Sequence, residues 1–274
     1  MVLAENKIFA RARYTAEQEL YDSRTHSGSK ELTPEKIDYE MQFPHSDSVM
    51  ILHHLTQAGF EHFVSVYGES YRVLYLNDCT GIRDFSPLGD LKNLEAVRLE
   101  WCRKTDKLWD MSGNTSLKVL SIHDAKKIVE NPMELRTSST LEEIRFWGAF
   151  YDNKHTLDSL ECFRGMSSLR RIDLNDIKLR NRNFDVLSTL PNLEEFHFDA
   201  GMLTTEEIAW IVAKYPKLYG ACLGVYTTQE CACVNDIRIC GYRKPGLDLP
   251  KDQKRLDRYT AEFNALVERY RNEG

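Results

Sequence analysis

Asp173, His197 and Cys222 are the residue types a covalent nucleophile site would need. They recur 24 and 25 residues apart, at equivalent places in a repeating segment. A thiol becomes nucleophilic beside an imidazole, and the imidazole is oriented by a carboxylate. Acyl chemistry would also require donors preorganised around an oxyanion, and no stretch of the sequence supplies them. The plainer reading of the same residues is a surface ion pair between Asp173 and His197, with Cys222 buried as cysteines commonly are. Cys222, Cys231, Cys233 and Cys240 form a C-x8-C-x-C-x6-C series. Structural zinc sites favour C-x2–4-C pairs, so this spacing is a weak match, although four thiolates gathered in a small cap would still hold a metal. An enzyme or zinc-binding module centred on these cysteines is therefore one reading of the chain. Neither a G-x-x-x-x-G-K-[ST] nor a G-x-G-x-x-G motif occurs, and no cofactor is expected.

A second chemistry is recognition without catalysis. Trp101 and Trp147 are two of only four tryptophans, and they stand near Tyr75, Arg98 and Arg145 when the repeating segments are aligned. Trp, Tyr and Arg dominate the energetics of protein interfaces.

Either chemistry depends on the elements that place these residues. Six copies of one pattern begin at residues 71, 94, 117, 141, 169 and 193: YRVLYLNDC, LEAVRLEWC, LKVLSIHDA, LEEIRFWGA, LRRIDLNDI and LEEFHFDAG. A weaker seventh, LYGACLGVY, begins at 218. The first, fourth and sixth positions of the six good copies are all apolar. Alternation inside each copy predicts a short strand with one buried face, and the regular return lays each strand parallel to the last.

The pattern resembles the leucine-rich repeat. The run CTGIRDFSPLGDLKNLEAVRL is similar to the bacterial internalin type, although Cys79 and Cys102 stand where that type prefers Asn. The resemblance implies an α/β fold: a leucine-rich-repeat solenoid with parallel strands on the concave face, helices and turns on the convex face, a helical N-terminal cap and a mixed C-terminal cap. The division expected is a cap over residues 1–70, repeats over 71–226 and a second cap over 227–274. Residues 47–64 are expected to be a helix sealing the first repeat, and the long unit 141–168 to carry a fuller helix through Leu157, Leu160, Phe163 and Met166. Ser86-Pro87 should open a short turn, and Thr204 with Glu207 should form a capping box. Residues 251–272 should form an amphipathic helix folded back on the last repeat.

Equivalent positions on neighbouring strands form rows about 4.8 Å apart. The rows facing the concave side contain the candidate partner-binding residues Tyr75, Arg98, Glu100, Trp101, His123, Arg145, Trp147, Asp173, His197 and Asp199. Non-core strand positions hold eleven acids against six bases, close to the chain's net charge of −6. A neutral or basic protein or peptide is the expected partner, and nucleic acid is disfavoured because a basic surface is lacking. A solenoid without a defined ligand is the remaining alternative. No run of about 18 apolar residues and no secretory apolar stretch occurs, and seven cysteines at irregular spacings suit a reducing compartment. A cytoplasmic location follows as an expectation.

Overall fold

The computed structural model describes residues 19–20, 31–43, 48–148, 155–228 and 235–273. In each repeating segment the alternation of apolar and polar residues produces a short strand: β3 (Val73–Asn77), β4 (Ala96–Glu100), β5 (Val119–His123), β6 (Glu143–Trp147), β8 (Arg171–Asn175) and β10 (Glu195–Phe198). They pair parallel and in register, with Leu74, Val97, Leu120, Ile144, Ile172 and Phe196 aligned across the sheet. Two further strands, β1 (Glu19–Leu20) and β2 (Val49–His53), extend it to an eight-stranded parallel sheet. The result is a mixed α/β architecture in which the main strands follow one another in chain order.

Among the residues at the first, fourth and sixth segment positions, all but Leu193 are buried, and Leu193 packs partly against the same core. Return segments close the other side of that core with short 3-10 turns at Ser86–Asp90, Met133–Thr137, Leu160–Phe163 and Asp185–Thr189. Pro87 opens the first of these, as its fixed φ favours. Asn114 ties a return segment down: its Nδ2 donates to Leu88 O (2.7 Å) and Leu91 O (2.9 Å), while its Oδ1 accepts from the buried Trp109 Nε1 at 2.7 Å. Two residues beyond the ends of β3 and β4, the Cys79 thiol donates to Leu52 O (3.4 Å) and the Cys102 thiol to Leu76 O (3.7 Å). The small thiols thus keep a weak donor to the preceding strand while packing as apolar groups.

The N-terminal helix expected over 47–64 is corrected. Val49–His53 is a strand, registered on β3 with Met50 opposite Leu74, and a helix α2 (Gln57–Val66) starts only after Thr56. Thr56 Oγ1 accepts from Gly59 N at 2.9 Å. An unbroken apolar run such as Val49-Met50-Ile51-Leu52 has no period that separates strand from helix. A shorter helix, α1 (Pro34–Glu40), packs against α2. The long unit also departs from expectation. Leu157, Leu160, Phe163 and Met166 are buried, but the segment holds β7 (His155–Leu157) and a four-residue 3-10 turn rather than a fuller helix. β7 pairs parallel with β9 (Ile177–Leu179) in a small separate sheet. A short helix α3 (Lys126–Glu130), between β5 and β6 in the chain, packs against β7.

At the far end, the capping box forms at the start of α4 (Thr205–Lys214): Thr204 Oγ1 accepts from Glu207 N, and Glu207 Oε2 accepts from Thr204 N at 2.7 Å. The C-terminal residues form a small antiparallel sheet of β11 (Tyr226–Thr227), β12 (Ile237–Ile239) and β13 (Gly246–Leu247). The long helix α5 (Gln253–Asn272) then packs along α4, burying Leu256, Phe263 and Val267. Leu120 and Ile172 are fully buried at the centre of the stack, so replacing either by Ala should cost about 2–5 kcal/mol in denaturant unfolding. A cost under about 1 kcal/mol would contradict the register described.

Candidate functional site

The polar faces of adjacent strands stand one strand spacing apart, close enough for their side chains to bind one another. Around β3–β6 they form a connected network. The Tyr75 hydroxyl donates to Glu100; Arg98 donates to Glu100 Oε2 at 2.7 Å and stacks over the Tyr75 ring at 4.7 Å. Arg98 also meets His123 Nδ1 at 3.2 Å, and His123 Nε2 lies 2.9 Å from Ser121 Oγ. The His123 imidazole is stacked on the Trp147 indole, with centroids 4.8 Å apart and planes 10° from parallel.

A second network covers β6–β10. Arg145 pairs with Glu143 (3.4 Å), Arg171 pairs with Asp173 (3.3 Å) and Glu195 (2.9 Å), and Asn175 Nδ2 donates to Asp173 Oδ1 at 2.5 Å. Ser121, Arg145, Asp173 and His197 are buried, although they occupy positions the pattern assigns to solvent. The charges are taken from water only because opposite partners replace it, along the strand for Arg145–Glu143 and Asp173–Arg171 and across to the next strand for Arg171–Glu195. Burial, reinforced by the nearby Arg171 charge, pulls the Arg145 guanidinium below its ordinary pKa. Asp199 lies apart, where a carboxylate oxygen accepts from Asp176 N at 2.9 Å.

The Asp173–His197–Cys222 constellation does not assemble. His197 Nε2 is engaged by Glu195 at 2.8 Å, and Asp173 is held by Arg171 and Asn175. The seventh segment is displaced by one residue: Glu195 bridges Tyr219, which puts Cys222 on the core side of the pattern, where it is buried. The Cys102 thiol is raised well above its ordinary pKa, first by the hydrogen bond with Cys79 and then by burial, and burial raises Cys162 as well. Both stay protonated near neutrality. Of the cysteine series, Cys231 and Cys233 lie outside the described residues. Within the described residues, no group of three His, Cys, Asp or Glu side chains is placed to hold a metal ion.

The two tryptophans separate. Trp147 is half-buried against His123, and its Nε1 is buried with no acceptor among the described residues. Trp101 is 43% exposed and has φ = +56°. It belongs to a row of left-handed residues at strand ends, namely His54, Asp78, Trp101, Asp124 and Asp176. Asp tolerates this conformation because its short polar side chain bonds locally, whereas a bulky residue there is an outlier. At the Gly148 place in the same row, a Cβ would meet Asp176 O at 2.2 Å, so the backbones approach too closely for any side chain. Sequence reading found the exposed tryptophan but not its strained backbone, which leaves no mark in residue type. It also missed Glu143, Arg171 and Glu195, which pair with Arg145, Asp173 and His197 along their own strands and, for Arg171 and Glu195, with each other across strands.

No family model and no curated protein matches the sequence. Among solved structures, an internalin (inlF) from Listeria monocytogenes strain 4b F2365 aligns at 11% identity and a TM-score of 0.25. The alignment covers 56% of this chain and 61% of the internalin, less than two thirds of its length. The parallel stack is therefore described from this chain's own register. No described helix is long and apolar enough to cross a membrane.

Two outcomes follow from this geometry. Trp101→Asn should change stability by less than about 1 kcal/mol, because relief of the left-handed backbone offsets the lost half-exposed ring; Trp109→Ala, in the core, should cost about 3–5 kcal/mol. Chemical denaturation of both variants checks the contrast. His155 is 3% exposed, and burial holds its imidazole below the ordinary 6.5, with the Asp124 carboxylate 3.2 Å away opposing the shift. The unfolded chain then binds the extra proton first as pH falls through 6.5, so folding loses stability across that window. Melting curves at about pH 7.5 and 5.5 should show a larger loss for wild type than for His155→Gln; equal losses would mean the imidazole is not held neutral.

Proposed function

We propose that the chain is a leucine-rich-repeat solenoid acting as a non-catalytic protein-recognition scaffold, with a protein or peptide bound across the strand face of β3–β6. The observation that carries this reading is Trp101, a large ring held in a left-handed conformation and left 43% exposed. A strained, solvent-facing aromatic contributes little to folding and is suited to serve as an interface anchor. Around it, Tyr75, Arg98, Glu100, His123 and Trp147 form one interlinked surface whose side chains restrain each other. Restraint of this kind lowers the entropy cost of ordering an interface. Arg145, Asp173, His197 and Asp199 continue the face as a support for its neighbours.

The excess of acids at strand positions supports a neutral or basic partner. The nucleophile constellation readable in the sequence is dispersed into separate pairs, which favours recognition over catalysis as the reading. The test is affinity capture from the native lysate with wild type beside a Trp101→Ala/Trp147→Ala double variant, both verified as folded by circular dichroism. A protein retained by wild type and lost by the folded variant is the expected result. Identical capture by the two chains would overturn the assignment of this face.

A further inference from the structure

A second candidate site lies away from the strand face. A cleft of about 300 Å³ opens between the return segment at Phe184, the first turns of α4 and the end of α5. That volume is at the lower end of binding-site size and suits one long side chain. Its walls include Phe184, Trp210 and Tyr270, with the Phe184 and Trp210 ring centroids 6.4 Å apart and their planes tilted by 40°. Asp185, Glu206 and Glu207 bring three carboxylates to the rim, and Arg182 brings one guanidinium.

The pairing at this rim is uneven. Arg182 donates to Glu207 Oε2 at 2.9 Å, and the same Glu207 oxygen closes the capping box, so this pair is engaged within the protein. Asp185 and Glu206 make no ion pair among the described residues, and both are exposed. Arg164, whose charge reaches Asp185, is occupied by Glu161 at 2.6 Å. After Arg182 and Glu207 cancel, the cleft retains two negative charges beside three aromatic rings. One of those rings already accepts a guanidinium within the protein, as Arg269 stacks over Tyr270 at 4.5 Å.

From this arrangement we propose that the cleft binds the arginine side chain of a basic peptide, the guanidinium pairing with Asp185 and Glu206 while its plane stacks on Trp210. Guanidinium suits both demands, because it forms bidentate bonds to carboxylates and stacks on aromatic faces; a lysine ammonium is a compact, strongly hydrated charge. The site stands independently of the β3–β6 face, and its failure would leave that assignment untouched.

The experiment titrates the full chain with Ac-Gly-Arg-Gly-NH2, following the Trp210 indole resonance by NMR, with Ac-Gly-Gln-Gly-NH2 and Ac-Gly-Lys-Gly-NH2 as comparators. The arginine peptide should saturate the shift, the glutamine peptide should not, and the lysine peptide should bind more weakly. Asp185→Asn/Glu206→Gln alters two exposed side chains and should weaken arginine binding about tenfold or more, as loss of charge-assisted pairing implies. Added salt should weaken it further, while the Trp101→Ala/Trp147→Ala chain should bind the peptide like wild type. Absence of saturable binding, equal binding of the glutamine or lysine peptide, or unchanged affinity in the carboxylate variant would each overturn the proposal.

Discussion

In-register hydrogen bonding between successive parallel strands is the constraint from which the rest of the molecule follows. Each strand has unpaired backbone groups on both edges until its neighbours arrive, and burial of those groups without partners would be costly. Once Leu120 is set opposite Val97 and Ile144, every side chain of β5 is assigned to one face. The inward residues merge into one continuous core, and the outward ones are brought side by side whether or not their charges suit one another.

That forced adjacency explains why the polar face is a set of linked pairs. Arg98, Glu100 and His123 could each be solvated on an isolated strand; in the sheet Arg98 bonds to Glu100 on its own strand and to His123 on the next. Arg171 is shared between Asp173 on its own strand and Glu195 on the next. Such a surface is stiff, and it leaves Trp101 as a large group on that edge not absorbed into a pair or the core. Its bulk sets it apart from the aspartates that fill the same left-handed place in neighbouring units.

How far the sequence revealed this depends on which physical signal each element leaves. Periodic Leu, Ile and Val positions expose the sheet and its core directly, because burial selects residue type at fixed spacing. The unit at β2 was concealed because Asp47 stands at its first position and its apolar run lacks alternation. The seventh unit was displaced by one residue because LYGACLGVY contains small residues that satisfy two alignments, and only the Glu195–Tyr219 bridge distinguishes them. Burial of Arg145 and Asp173 has no signature in sequence, since it arises between strands 28 residues apart in register.

The thiols of Cys79 and Cys102 connect the early strands through weak donors to Leu52 O and Leu76 O. Each is fully buried, and the Cys102 proton is held tightly. An alkylating reagent can reach them only when the first units part, because reaction requires both access and a thiolate. The cysteines at this place therefore give the stack an internal clock: the rate of thiol modification reads how often its N-terminal strands breathe.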